Sequence, residues 1–229
     1  MMKNLSEYIY QGKNIPIREY ISEKLIIDKN YVIYNYSPKR PQELRRIIIE
    51  RYNEQGPGTK DEPIDFNDID VSEMTTFFDD TTPFRNTEFR YIDVSDWDVS
   101  NCTDFRSLFG YCERLVSVGD LSNWNMSKAT RINAMFTHCT KLKQVGDLGK
   151  WNIHNIEWCC AMFIECESIS YIGDLSNWDL STADNVFEMF YGCKNLKDIG
   201  DISKWKILKT SDHCSMFTDS GITIKPTFV

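Results

Sequence analysis

The sequence predicts an α/β solenoid, in which about five turns of 27 residues stack on one another. Tryptophan recurs at this constant step, a phenylalanine follows each tryptophan after twelve residues, and a cysteine column keeps the same period. The columns are Trp97, Trp124, Trp151, Trp178 and Trp205; Phe109, Phe136, Phe163, Phe190 and Phe217; and Cys112, Cys139, Cys166 and Cys193. A unit repeated this strictly is typical of a scaffold that presents a surface.

The unit at residues 124–150 shows what each turn contains. Apolar residues at spacings of three and four over residues 129–139 predict a short helix, with Ser127 as its N-cap. Apolar residues at three-residue intervals over residues 142–148 surround a Gly-Asp turn and predict a short strand bent into a corner. Each turn is therefore expected to hold a short parallel strand, a corner and a short helix.

One turn of this size cannot bury its own apolar face, so stacking is expected to place like residues above like. The tryptophan, phenylalanine and cysteine columns then become continuous ladders of a structural core. Each tryptophan is expected to contribute about 4–6 kcal/mol of gross burial free energy, most of it offset by chain entropy. The cysteines of the column are expected to be buried and reduced, because nothing in the sequence indicates an oxidising compartment.

The chain is predicted to have three parts. Residues 1–60 do not follow the repeat and form a small α+β region, residues 61–96 form a degenerate first repeat, and residues 97–229 form the repeat array with a C-terminal strand. Terminal repeats are expected to be atypical. The apolar tail at residues 221–229 has no polar capping helix behind it, which predicts an uncovered strand edge.

Two roles remain open for residues 1–60. Apolar spacing predicts a helix near residues 17–25, a strand at residues 31–34 and a second helix at residues 41–53. The region either covers the open edge of the first turn, which is the favoured role, or docks the protein to a larger assembly.

Charge limits the kinds of partner that this chain can bind. The net charge is −8, and residues 61–229 carry 15 basic against 27 acidic residues. Such an array repels phosphate backbones, so no nucleic-acid partner is expected. A small basic cluster at Lys39, Arg40, Arg45, Arg46 and Arg51 is predicted to be the solvated face of a helix.

The sequence contains no run of apolar residues that predicts a membrane span. Residues 1–8 lack an apolar segment and a cleavage site, which predicts no secretory signal and a cytoplasmic or virion-associated protein.

No cofactor and no catalysis are expected. A zinc site at Cys159, Cys160, His213 and Cys214 is disfavoured, because the two pairs lie two repeats apart, or about 10 Å at the rung spacing of a parallel sheet. The aspartates of the Gly-Asp column either bind calcium or accept backbone N–H bonds in the turn, and the second is favoured. The chain shows no nucleophile elbow, phosphate loop or paired catalytic carboxylates, which predicts that it is not an enzyme.

Three motifs carry a resemblance to a known family: Trp97-Asp98-Val99-Ser100, Ser107-Leu108-Phe109 and Cys112-Glu113-Arg114-Leu115. Over about residues 64–220 the chain resembles the BspA-like leucine-rich-repeat family, whose bacterial surface proteins carry a repeat of the 26-residue type. Residues 44–72 are similar to the lead-in of such proteins from gut Bacteroidetes and their phages. The resemblance implies a leucine-rich-repeat-like array that serves binding or adhesion, without catalysis.

The predicted binding residues are those that break the pattern of their columns. Trp158 stands in a column that otherwise holds Asp104, Arg131, Asn185 and Asp212. These polar residues predict that the column points outward. Tryptophan is the residue type most enriched at the energetic centres of protein interfaces. Further candidates for the same surface are Tyr111, His138, Ile164, Tyr171 and Tyr191. We therefore expect a protein-binding scaffold. The alternative is a structural component of a phage virion or similar assembly, attached through the N-terminal region or self-associating through the C-terminal edge.

Overall fold

The computed structural model describes residues 34–79, 82–85, 87–208, 212–224 and 226–228. These residues belong to one compact unit that starts at Tyr34. The region expected over residues 1–60 is therefore described only from Tyr34 onward. The helix predicted near residues 17–25 and most of the strand predicted at residues 31–34 lie outside the described residues.

Regular secondary structure is sparse in the described part of the chain. Helix α1 spans Pro41–Gln55. Strand β1 (Ile64–Asp65) pairs in parallel with β2 (Ile92–Asp93), and β3 (Lys206–Ile207) pairs in parallel with β4 (Thr227–Phe228). Single-turn 3₁₀ helices lie between β2 and β3, at Leu121–Asn123, Leu148–Lys150, Leu175–Asn177 and Ile202–Lys204.

Parallel β-bridges join each repeat unit to the next. One ladder of bridges runs through Thr76, Asp104, Arg131, Trp158, Asn185 and Asp212, and a second runs through Tyr91, Ser117 and Gln144. Between these ladders, alternate backbone N–H groups also donate to the following unit. The N–H groups of Ile132 and Ala134, for example, donate to the carbonyls of Trp158 and Cys160, each at 2.9 Å. Backbone groups that a helix would pair internally are thus paired between units.

The helix predicted over residues 129–139 is replaced by consecutive turns. Ala134 and His138 have positive φ angles of 55° and 58°. A left-handed residue interrupts the pattern of bonds from residue i to residue i−4, although the spacing of the inward side chains stays helix-like. Ser127 is not an N-cap: its N–H donates to Oδ1 of Asn125 at 3.2 Å, so Asn125 is the residue that accepts.

The Gly-Asp pairs form the corners that precede the 3₁₀ helices. Oδ1 of Asp147 accepts the N–H of Gly149 at 3.1 Å and so caps the 3₁₀ helix Leu148–Lys150. This helix begins at the last residue of the strand predicted over residues 142–148. Gly173 has a φ angle of +93°, and a β-carbon at this position would overlap Oδ1 of Asp147 in the preceding unit. Glycine is therefore required both by the left-handed backbone and by the carboxylate packed against it.

The core consists of the columns that keep the period. The five repeat tryptophans are at most 4% exposed, and Phe109, Phe136, Phe163 and Phe190 are fully buried. Phe136 stacks on Phe163 with ring centroids 5.2 Å apart. The last phenylalanine of the column, Phe217, is only partly buried.

Cysteines of the core column are free thiols, and they donate hydrogen bonds to backbone carbonyls of the preceding unit. The Sγ of Cys139 donates to the carbonyl of Phe109 at 3.0 Å, and that of Cys193 donates to the carbonyl of Phe163 at 3.1 Å. Each cysteine thus supplies both a small apolar volume and a weak donor for a buried carbonyl.

Helix α1 packs on the first, degenerate repeat. Leu44 and Ile48 are fully buried. Arg51 pairs with Asp68 at 2.6 Å, and its guanidinium lies 5.1 Å from the ring centroid of Phe66. Two members of the basic cluster therefore differ from the predicted solvated face. Arg51 is buried by these contacts, and Arg45 donates to the carbonyl of Thr82 at 2.8 Å.

Phe84 lies in the degenerate first repeat at residues 61–96. Its ring is 5.2 Å from that of Phe109, and its carbonyl accepts the thiol of Cys112 at 3.3 Å. The degenerate repeat therefore supplies the first member of the phenylalanine ladder.

In the C-terminal tail, β4 pairs with β3 along one of its edges, and Ile222 and Pro226 are buried. Ile224 remains 46% exposed.

Candidate functional site

An apolar surface lies on two adjacent units, where the segments 157–165 and 184–192 present their outward side chains. We call it the Trp158 face and define it by five residues: Trp158, Cys160, Ile164, Phe187 and Tyr191. Trp158 is exposed, and the other four side chains are partly buried.

Trp158 occupies the middle of the first bridge ladder, between Arg131 and Asn185. Its carbonyl accepts the N–H of Ile132 at 2.9 Å, and its own N–H donates to the carbonyl of Thr130 at 3.1 Å. Both bonds join Trp158 to the preceding unit, and the bridge to Asn185 joins it to the following unit, so its backbone is fixed from both sides. The side chain is nevertheless 44% exposed, whereas the five tryptophans of the core column are buried. A large aromatic side chain held outward on a rigid backbone is suited to anchoring a partner.

Hydrogen bonds between the two units set the positions of the other four residues. The N–H of Ala161 donates to the carbonyl of Phe187 at 2.7 Å, so Cys160 and Phe187 occupy equivalent positions in adjacent units. The N–H of Glu165 donates to the carbonyl of Tyr191 at 2.8 Å, and this places Ile164 and Tyr191 in the same relationship. The apolar character is thus continuous across the boundary between the units.

The Cys160 thiol belongs to this surface as a neutral group. Partial burial raises its pKa, and the nearby negative charge of Asp212 raises it further. The thiol therefore packs as a small apolar side chain near neutral pH.

Acidic residues surround the apolar centre of the Trp158 face. Glu157 and Asp184 are exposed at equivalent positions of the two units, and Glu165 and Glu188 are partly buried. No ion pair to any of these four carboxylates occurs within the described ranges. Carboxylates elsewhere do have such partners: Glu167, for example, pairs with Lys194 at 2.6 Å.

Tyr111 and His138 form a second aromatic cluster in the preceding units. Their rings stack with centroids 4.9 Å apart, and the guanidinium of Arg85 lies 4.9 Å from the centroid of the Tyr111 ring. The column continues to Glu165, so the cluster approaches the acidic border of the Trp158 face. Both aromatic residues have positive φ angles, 63° for Tyr111 and 58° for His138.

Tyr171 does not lie on the Trp158 face, although it is 55% exposed. It stands one period after Gln144, in the column of the second bridge ladder. The structure therefore brings together Trp158, Ile164 and Tyr191 among the predicted binding residues, and it places Tyr171 in a different column.

Phe187 and Cys160 were missed by the sequence argument. Their column holds Arg106 and Asn133 in the earlier units, so an apolar residue departs from a polar pattern here just as it does at Trp158. This departure from the polar pattern is the signal in the sequence that marks both residues.

Within the described ranges, no group of three or more histidine, cysteine or acidic side chains is placed to hold a metal ion. The aspartates of the Gly-Asp column use their carboxylates in the turn, as when Oδ1 of Asp120 accepts the N–H of Ser122 at 3.0 Å.

Among the residues that the structure describes, no helix combines the length and apolar character that crossing a bilayer requires.

The parallel bridges between units and the buried periodic columns describe a repeat protein. The chain belongs to the family described as "Mycoplasma protein of unknown function, DUF285", whose model matches residues 72–198 and 120–224. Neither a search of curated proteins nor a search of solved structures found a significant match.

Proposed function

We propose that this protein is a non-enzymatic, protein-binding repeat scaffold that recognises its partner through the Trp158 face. In this proposal the stacked units form a BspA-like, leucine-rich-repeat-like solenoid, and the core columns hold the binding surface in place. The parallel bridges between units and the buried Trp, Phe and Cys columns support the solenoid part of the proposal.

One observation carries the functional part: Trp158 is 44% exposed within a bridged, backbone-paired segment, next to four further apolar side chains. Exposure of a large apolar group to water costs free energy that burial would recover, at about 25 cal/mol per Å². Tryptophan is also the residue type most enriched at the energetic centres of protein interfaces.

The experiment compares capture of proteins from a lysate of the source cells by three forms of the full chain: wild type, Trp158→Ala and Tyr171→Ala. Tyr171 is the matched control, since it is an exposed aromatic residue in another column. We expect one or more proteins to be retained by wild type and by the Tyr171 variant but lost by the Trp158 variant. Each such protein is then purified, and its affinity for the three forms is measured directly.

Truncation of a central interface tryptophan typically weakens binding by about 2 kcal/mol or more, or roughly 30-fold. The thermal midpoint should stay nearly unchanged in both variants, because both side chains are exposed. Equal capture by all three forms would contradict the proposal. The alternative of a virion component, attached through the N-terminal region or the C-terminal edge, stays a prediction.

A further inference from the structure

We propose that the partner of the Trp158 face is a basic protein segment, in which Lys or Arg side chains flank an apolar or aromatic anchor. This inference rests on the proposed protein-binding function and specifies the chemistry of the partner. It follows from the charges that surround the apolar centre.

The charge of this part of the chain is one-sided. Residues 151–193 contain no lysine and no arginine, whereas they contain seven acidic residues. Four of these, Glu157, Glu165, Asp184 and Glu188, lie in the outward segments of the Trp158 face, and none has an ion-pair partner within the described ranges. A cationic side chain of a partner would therefore find carboxylates that form no ion pair within the described ranges.

The arrangement does not help the protein to fold. Glu157 and Asp184 occupy equivalent positions in adjacent, bridged units, one residue before the bridged pair Trp158 and Asn185. Like charges at neighbouring positions of a ladder are destabilising. The unit before these two has Thr130 at the same position, so the repeat does not require an acid there. A cation that binds between the two carboxylates relieves this repulsion, and the relief adds to the free energy of binding.

The apolar centre and the acidic border of the surface have separate roles in binding. Burial of Trp158, Phe187 and their apolar neighbours supplies most of the affinity. The acidic border attracts a basic segment during its approach, raises the association rate and repels acidic competitors.

A second copy of the chain does not fit as the occupant of this surface. Two-fold pairing brings the same patch of both copies together. The four carboxylates of one copy would then face the four of the other, and the chain already carries a net charge of −8. Electrostatic complementarity therefore favours a different, basic segment.

The test uses the purified full chain as bait for a phage-displayed library of random 12-residue peptides. Peptides are selected on wild type and counter-selected on Trp158→Ala. The most enriched sequences are then synthesised, and their affinities are measured at about 50 and 300 mM salt. We expect enriched peptides to carry a net positive charge and at least one aromatic or large aliphatic residue. Their binding should weaken as salt rises, because salt screens exposed charges.

A variant that lacks three acidic side chains measures the contribution of the acidic border to binding. The isosteric substitutions Glu157→Gln, Asp184→Asn and Glu188→Gln, combined in one protein, remove three charges and leave the apolar centre intact. The control variant combines Glu54→Gln, Asp61→Asn and Glu113→Gln, which remove three exposed charges outside the two segments that form the face. We expect the first variant to bind the selected peptides about tenfold more weakly, and the control to stay within about twofold of wild type.

The outcomes separate this inference from the function on which it rests. Peptides that require Trp158 but are neutral or acidic would overturn the basic partner and leave the protein-binding function standing. Equal weakening by the two charge variants would also overturn it, since the effect would then come from net charge alone. If no peptide binding depends on Trp158, the binding role of the face itself is contradicted.

Discussion

The indole Nε1–H of Trp151 donates to the carbonyl oxygen of Leu121 at 2.7 Å, thirty residues earlier in the chain. The same bond recurs from Trp178 to Leu148 at 2.9 Å and from Trp205 to Leu175 at 2.7 Å. A buried carbonyl that lacks a donor costs free energy, and phenylalanine or leucine could fill the volume without supplying one. This bond explains why the column holds tryptophan rather than any large apolar residue.

Trp151→Ala should lower the free energy of unfolding by about 3–5 kcal/mol, because it removes a buried ring and leaves a cavity between two units. Trp151→Phe should retain much of the apolar contact but leave the Leu121 carbonyl unpaired, at a cost of about 1–3 kcal/mol. Urea unfolding followed by circular dichroism measures both values. Trp158→Ala is the control, and its effect should be about 0.5 kcal/mol or less, as is usual for exposed positions.

Equal stability losses for Trp151→Ala and Trp158→Ala would contradict the division into an inward and an outward tryptophan. A Trp151→Phe protein as stable as wild type would show that the indole hydrogen bond does not explain the column.

Periodicity in the sequence was sufficient to predict which columns point inward, but not the backbone that carries them. Ala129, Ile132 and Phe136 are buried, as their spacing indicates, yet they lie on turns. Helical spacing and this series of turns present the same side chains to a core. They differ at Ala134 and His138, where the backbone is left-handed; alanine gives no signal of this conformation, and histidine gives only a weak one.

The candidate site was predictable only in part, for a related physical reason. Trp158 departs from a polar column and could be recognised in the sequence. Which outward columns share one surface depends on how the turns fold, and this separates Tyr171 from Trp158. Whether Glu157 and Glu188 form ion pairs within the described ranges depends on contacts between units, which no local pattern encodes.

Gly173→Ala should be more destabilising than Gly56→Ala, although both glycines have positive φ angles, +93° and +75°. At Gly56 a new β-carbon would meet no atom within 4 Å, so only the backbone conformation, with φ 75° and ψ −153°, opposes it, at about 1–3 kcal/mol. At Gly173 the β-carbon would overlap the carboxylate of Asp147 and force two units apart. We expect a loss of about 3 kcal/mol or more in the free energy of unfolding, measured with urea. Similar losses at both positions would show that close packing of the Gly-Asp corners does not determine the residue.

Accessible and buried thiols should separate clearly on alkylation with iodoacetamide at pH 8. Cys214 is exposed and Cys160 is partly buried, whereas Cys102, Cys112, Cys139, Cys159, Cys166 and Cys193 are buried. Mass spectrometry of the native protein should find Cys214 modified first and Cys160 more slowly, because the thiolate is the reactive form and burial suppresses it. The six buried thiols should react only after denaturant is added. Modification of the core column in the native state would contradict the buried ladder.

The same burial makes stability depend on pH in the alkaline range. Desolvation raises the pKa of Cys112 and of Cys193 from 9.0 to about 12. Between these two values the unfolded chain releases thiol protons that the folded protein retains. The contribution of each thiol to the free energy of unfolding is therefore fully present below pH 9 and is lost as the pH rises toward 12.

The combined variant Cys112→Ala, Cys193→Ala should have a lower free energy of unfolding at pH 8, because it creates cavities, but this free energy should fall less steeply as the pH rises. Urea unfolding at pH 8, 9 and 10 measures the two slopes, and tyrosine and lysine titrate equally in both proteins. Identical slopes would mean that the two thiols are not held protonated by the fold.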